Sequence, residues 1–149
     1  MEIINPSGKH TLKLETDFCG RKLGLEVNRV GFRATSSVLV TYGDTVVLGS
    51  VVVGTKPVVQ DFFPLSIDYE EKYYAAGKIS SSKFIKREGK PSDNAVLVGR
   101  LIDRPIRPLF PKGYRQEIQV VTTVLSMDPS FRPDVIAMIA ASSALMLAG

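Results

Sequence analysis

The chain has 149 residues, 44% of them hydrophobic and 23% charged, which supplies a real core for one ordinary domain and excludes a disordered tail. Nineteen Lys and Arg against 15 Asp and Glu give a net charge of +4 and an isoelectric point near 9.3, an excess that suits a polyanionic partner without specifying one. The single cysteine, Cys19, excludes an intrachain disulfide and a paired-cysteine zinc site; no apolar run reaches the roughly 18 residues of a membrane-spanning helix, and Met1 leads into a strand-like run rather than a targeting segment, so the expectation is a cytoplasmic protein with no membrane partner.

In chain order, Thr11 to Thr16 and Lys22 to Val27 alternate apolar with polar residues around the polar stretch Asp17 to Arg21, which predicts a β-hairpin with one wet face. Ser37 to Tyr42 and Thr45 to Val53 flank Gly43-Asp44, a glycine-first turn, and predict a second hairpin. The near-continuous valine of that hairpin implies that both of its faces are covered. Phe62 to Tyr69 reads as a further strand, with Leu65, Ile67 and Tyr69 on one face and Ser66, Asp68 and Glu70 on the other. From Ala75 to Ser92 the pattern is lost in a Gly-, Ser- and Lys-rich stretch, the best candidate for a long functional loop.

Ser92 is placed to cap a helix whose first turn holds Asp93 and Asn94. At about 100° per residue, Leu97, Val98, Leu101 and Ile102 form an apolar arc with Arg100 and Arg104 at its border, and Pro105 is expected to stop the helix at Asp103 or Arg104. Gln116 to Met127 predicts a long strand. Pro133 to Ala148 predicts a helix that is apolar or small almost all round. Such a helix must be covered on several sides, so the chain is expected to be part of a longer protein.

Three runs identify a relative: Asp61 to Ile79, Phe84-Ile-Lys-Arg-Glu-Gly-Lys-Pro-Ser92, and Arg100-Leu-Ile-Asp-Arg-Pro-Ile-Arg-Pro-Leu-Phe-Pro-Lys-Gly113. In order and spacing they resemble the first RNase PH-like core repeat of the polynucleotide phosphorylases, and Asp134 to Gly149 resembles the helix that follows there. The resemblance implies one domain over residues 1–149, incomplete at its C-terminus. Its fold class would be α+β, a mixed sheet with helices packed on it, of the RNase PH-like (ribosomal protein S5 domain 2-like) type. It also implies a parent enzyme that degrades single-stranded RNA from its 3′ end with inorganic phosphate, releases nucleoside diphosphates, and runs in reverse as a polymerase. That parent would form a homotrimeric ring, use Mg²⁺ or Mn²⁺ bound outside this segment, and join an endonuclease and a helicase in RNA decay. Two other readings share the sequence: a non-catalytic RNA-binding or ring-scaffold module, and an RNase PH-type or exosome-type ring subunit.

The same resemblance assigns site residues. Phe84, Ile85, Lys86 and Arg87 match the loop that grips RNA at the channel constriction, where aromatic faces stack on bases and cations hold phosphates, and Phe84, Lys86, Arg87 and the nearby Lys90 are expected to bind RNA. This loop departs from the family's Phe-Phe-Arg-Arg, because Ile85 offers no ring and Lys86 no guanidinium fork. Arg100, Arg104 and Arg107 match the Arg-rich helix and are expected to contact RNA or phosphate. No catalytic residue and no metal ligand is assigned within the segment. For the arginines the structural alternative is pairing with Asp103. The close carboxylates Asp68, Glu70 and Glu71 read as a polar strand face, because Glu71 points away from the other two.

Overall fold

A computed structural model describes residues 3–4, 10–59, 61–79 and 90–149. Seven strands form one mixed sheet in the order β1-β2-β3-β4-β5-β7-β6. Strands β1 (Ile3–Ile4), β2 (His10–Phe18), β3 (Arg21–Val27), β4 (Ser36–Tyr42) and β5 (Thr45–Pro57) form an antiparallel run, and β7 (Gln116–Ser126) joins β5 antiparallel. The edge strand β6 (Leu65–Glu71) lies parallel to β7, so a crossover must connect them, and it contains helix α1 (Asp93–Ile106). Helix α2 (Pro133–Ala148) follows β7.

Both predicted hairpins form, with tighter connections than the polarity of the sequence suggests for the first. Cys19 and Gly20 both have positive φ, 49° and 81°, which is the mirror-image turn whose twist matches that of its strands. The ladder therefore extends to Phe18↔Arg21, through residues the pattern assigns to a loop. Gly43, at φ 57°, makes the expected glycine-first turn of the second hairpin.

Helix α2 lies across β4, β5 and β7 and covers one face of the sheet. Val38, Val40, Tyr42, Val47 and Val51 are buried beneath it, against Ile136, Ala137, Ala140, Ala141 and Ala144. The Ser36 hydroxyl donates to the Ala144 carbonyl and ties the helix to β4. The expectation that both faces of this hairpin are covered is corrected. Val46, Leu48 and Leu39 are only half-buried and Val52 is 48% exposed, because the described residues supply a helical layer over one face only. The outer side of α2 is likewise open, with Met146 85% exposed, which fits its apolar circumference.

Helix α1 departs from its prediction in two ways. Pro105 does not stop it: the helix runs to Ile106, and the Arg107 N–H bonds to the Asp103 carbonyl across the proline. In the last turn the missing N–H costs a single bond, and a side-chain pair between Asp103 and Arg107 spans the same turn. The buried arc is also rotated. It consists of Ala95, Val98, Gly99, Ile102 and Ile106, which face β6, while Leu97 and Leu101 stand exposed at 62% and 52%. Because α1 packs along the edge strand rather than on the sheet, it hides a stripe narrower than its apolar content.

Candidate nucleic-acid interface

The position of α1 is set at both ends. Ser92, extended at φ −65° and ψ 156°, accepts the Ala95 N–H with its hydroxyl oxygen as an N-cap. Glu71, at the end of β6, accepts from Ser92 Oγ and Asn94 Nδ2, both at 3.1 Å, and so ties the strand's exit to the helix's start. A carboxylate there also suits the positive end of the helix dipole.

At the other end the anchor is Arg107. Its Nε and Nη2 donate to the two carboxylate oxygens of Asp103, at 3.0 and 2.8 Å, in the fork-on-carboxylate geometry. Nη1 also donates to the Phe63 carbonyl at 3.2 Å and Nη2 to the Leu65 carbonyl at 3.0 Å. Arg107 thus closes off carbonyls at the start of the edge strand, which would otherwise be open to another chain. The sequence groups it with Arg100 and Arg104 as a phosphate contact; the structure sets it apart, with its head committed to its own domain.

That commitment defines the chemistry of the two remaining arginines. Asp103 is the carboxylate of this helix within reach of a paired reading, and Arg107 occupies it. Arg100 and Arg104, one turn apart, are both exposed and have no ion-pair partner among the described residues. They stand with Leu97 and Leu101 on the helix face opposite the buried arc. Each guanidinium carries a planar fork of donors, a geometry that suits phosphate oxygens.

A cleft of about 700 Å³ opens at the carboxyl ends of β6 and β7, beside the amino ends of α1 and α2. Lys90 lies on its wall, together with Tyr69, Glu71, Tyr73, Lys78 and Ser92. Phe84, Lys86 and Arg87 lie outside the described residues. Among the described residues no cluster of His, Cys, Asp or Glu is arranged to hold a metal ion. The carboxylates at the end of β6 diverge, since Glu70 pairs with Lys72 at 3.2 Å and accepts from Thr123, while Glu71 turns to the helix cap.

Tyr69 is a participant that strand alternation marks only as buried. It is 4% exposed, and burial, followed by the charges of Glu71 and Asp134, pushes its phenol above the ordinary tyrosine range, with Arg132 pulling the other way. A pKa raised on folding means the native state keeps a proton that the unfolded chain releases. The associated stability is full below the unfolded value of about 10 and is lost as pH rises towards the folded one. Denaturant midpoints measured from neutral to strongly alkaline pH should therefore fall above about pH 10, and Tyr69→Phe should flatten that fall. Parallel pH profiles for the two proteins would refute the assignment.

Three comparisons bear on this geometry. The model of the 3′ exoribonuclease family, domain 1 (RNase PH) matches residues 20–149. The polyribonucleotide nucleotidyltransferase of Rhizobium meliloti is 55% identical over 93% of this chain and 19% of its own length; that of Thermomicrobium roseum is 58% identical over 88% and 17%. The chain thus spans less than a fifth of the length of these curated relatives. Among solved structures, the Archaeoglobus fulgidus exosome with RNA bound to the active site superposes with a TM-score of 0.59 at 24% identity, covering 80% of this chain and 48% of that one. Rice Rrp46 gives a TM-score of 0.62 at 19% identity over 85% and 54%. These likenesses give the sheet and its two helices as the RNase PH-like fold.

Proposed function

The chain belongs to the 3′ exoribonuclease family, as its RNase PH-type first domain, and from that membership we propose that it is the first core repeat of a polyribonucleotide nucleotidyltransferase that shortens single-stranded RNA from the 3′ end by phosphorolysis. Inorganic phosphate attacks the last phosphodiester, the bond to the penultimate 3′ oxygen breaks, and a nucleoside diphosphate leaves. This repeat grips the RNA. Arg100 and Arg104 hold backbone or attacking-phosphate oxygens, Lys90 adds a cation, and Phe84, Lys86 and Arg87 line the constriction of a trimeric ring. Arg107 holds the helix that carries the first two. The divalent cation belongs elsewhere in the parent, since the carboxylates described here diverge and are already bonded. Cytoplasmic RNA decay, together with an endonuclease and a helicase, completes the reading.

The observation that carries it is the pair of exposed guanidinium groups on α1 that have no ion-pair partner among the described residues, Asp103 being held by Arg107. In the full-length protein with Mg²⁺ and phosphate, poly(A) should be converted to ADP. Arg100→Gln with Arg104→Gln should lower the rate at subsaturating RNA by about tenfold or more. The slope of log affinity against log salt should become shallower by about 1.4, close to 0.7 for each lost contact with a single strand. RNA binding without diphosphate release would instead assign a non-catalytic module, and an unchanged salt slope in the double variant would remove the two arginines from the RNA path.

A further inference from the structure

On charge alone, Glu71 should hinder a polyanionic partner. Its bonds give it another part. The start of β6 meets the tail of α1 through Arg107, which donates to the Phe63 and Leu65 carbonyls, and the end of β6 meets the head of α1 through Glu71. The strand and the helix are thus fastened at both ends. At the head, the Ser92 hydroxyl donates to Glu71 while its oxygen accepts the Ala95 N–H at 3.0 Å, so the carboxylate takes the hydroxyl's proton and leaves a lone pair for the cap. Asn94, in the first turn, gives the same carboxylate a second hold at 3.1 Å.

The head depends on these bonds more than the tail depends on Arg107. The first half of α1 buries Ala95, Val98 and Gly99, and the second half Ile102 and Ile106, so less apolar surface holds the head against β6. Distance along the axis then separates the two exposed arginines. At 1.5 Å per residue, Arg100 lies about 10 Å from the Arg107 anchor and Arg104 about 4.5 Å. A head that swings about that anchor carries Arg100 about twice as far as Arg104.

We infer that Glu71 is a positioning residue for RNA: its clasp on Ser92 and Asn94 holds the head of α1 where Arg100 meets a phosphate. The inference rests on the RNA reading of α1 above. It predicts an effect of opposite sign to that of charge, since removing a carboxylate should by itself tighten the binding of a polyanion.

The affinity of the full-length protein for oligo(A), read without phosphate so that no turnover occurs, tests it. Arg100→Gln should weaken binding by about fivefold, and Glu71→Ala by about threefold. Glu71→Gln, which loses the charge and keeps bonds to Ser92 and a turned Asn94 amide, should bind at least as tightly as the parent. Asn94→Ala, which removes one of the two holds, should give a smaller loss in the same direction as Glu71→Ala. In the Arg100→Gln background, Glu71→Ala should add little; in the Arg104→Gln background its effect should persist. A chain that had merely unfolded in part would lose affinity in every background alike. Parental or tighter binding by Glu71→Ala, a Gln variant as weak as the Ala variant, or full additivity with Arg100→Gln would overturn the positioning role and leave the RNA reading standing. Parental affinity in Arg100→Gln would instead take Arg100 out of the RNA path, and this inference with it.

Discussion

Alanine in place of Gly49 is expected to lower the stability of the chain by about 3 kcal/mol or more, the upper end for overpacking a core. A Cβ on Gly49 would sit 2.7 Å from the Ala140 carbonyl oxygen and 2.8 Å from its carbon, distances that real Cβ atoms do not show. The obstacle is the backbone of α2, not the end of a flexible side chain. Relief therefore requires the helix to lift from β4, β5 and β7, exposing the alanines and valines between them and straining the Ser36 anchor on Ala144. At this chain length, that destabilisation corresponds to a fall in Tm of roughly 6–12 °C. Gly24→Ala is the matched control, because its Cβ would meet Thr41 at 3.8 Å, an ordinary contact, and should cost less than about 1 kcal/mol. Equal melting temperatures for the two variants would show that α2 does not rest on Gly49 as described.

Replacing Arg107 with alanine should cost about 2 kcal/mol and loosen α1 from the edge strand. One guanidinium serves the Asp103 carboxylate through two bonds and also serves the carbonyls of Phe63 and Leu65. The side chain is 41% exposed, so the ion pair is screened and the larger share belongs to the carbonyls and the carboxylate left unsatisfied. Arg107→Lys should recover less than half, because a point charge cannot serve carboxylate and strand together. Thermal melts, with amide exchange along α1 and β6, report the effect. A lysine variant as stable as the parent would mean that charge alone, not the fork, holds the helix. In the full-length protein the alanine variant should leave the slope of log RNA affinity against log salt unchanged, whereas loss of a phosphate ligand would make it shallower by about 0.7, which distinguishes a strut from a phosphate ligand.

The site was legible only in part. Helical spacing placed Arg100 and Arg104 on one face, and the Asp103–Arg107 spacing of four residues was equally visible. Spacing could not say which arginine would take the carboxylate. That choice depends on Phe63 and Leu65, some 40 positions away, whose carbonyls reward Arg107 alone. The Tyr69 phenol and the cleft were hidden for a similar reason. Each arises where β6, β7 and two helix starts meet, and no local pattern of residues records that meeting.

Local chemistry by itself determined the hairpins, the Ser92 cap and the two helices, because alternation, turn residues and capping act over a few neighbours. Composition left the family open; the runs beginning at Asp61, Phe84 and Arg100 marked it. Only the tertiary structure decided which faces were covered. Valine on both sides of β4 and β5 could not reveal that a single helix lies over them, nor could the apolar arc of α1 reveal that an edge strand hides only part of it. Burial is a property of partners distant in sequence, and so is the exposure of Arg100 and Arg104 on α1.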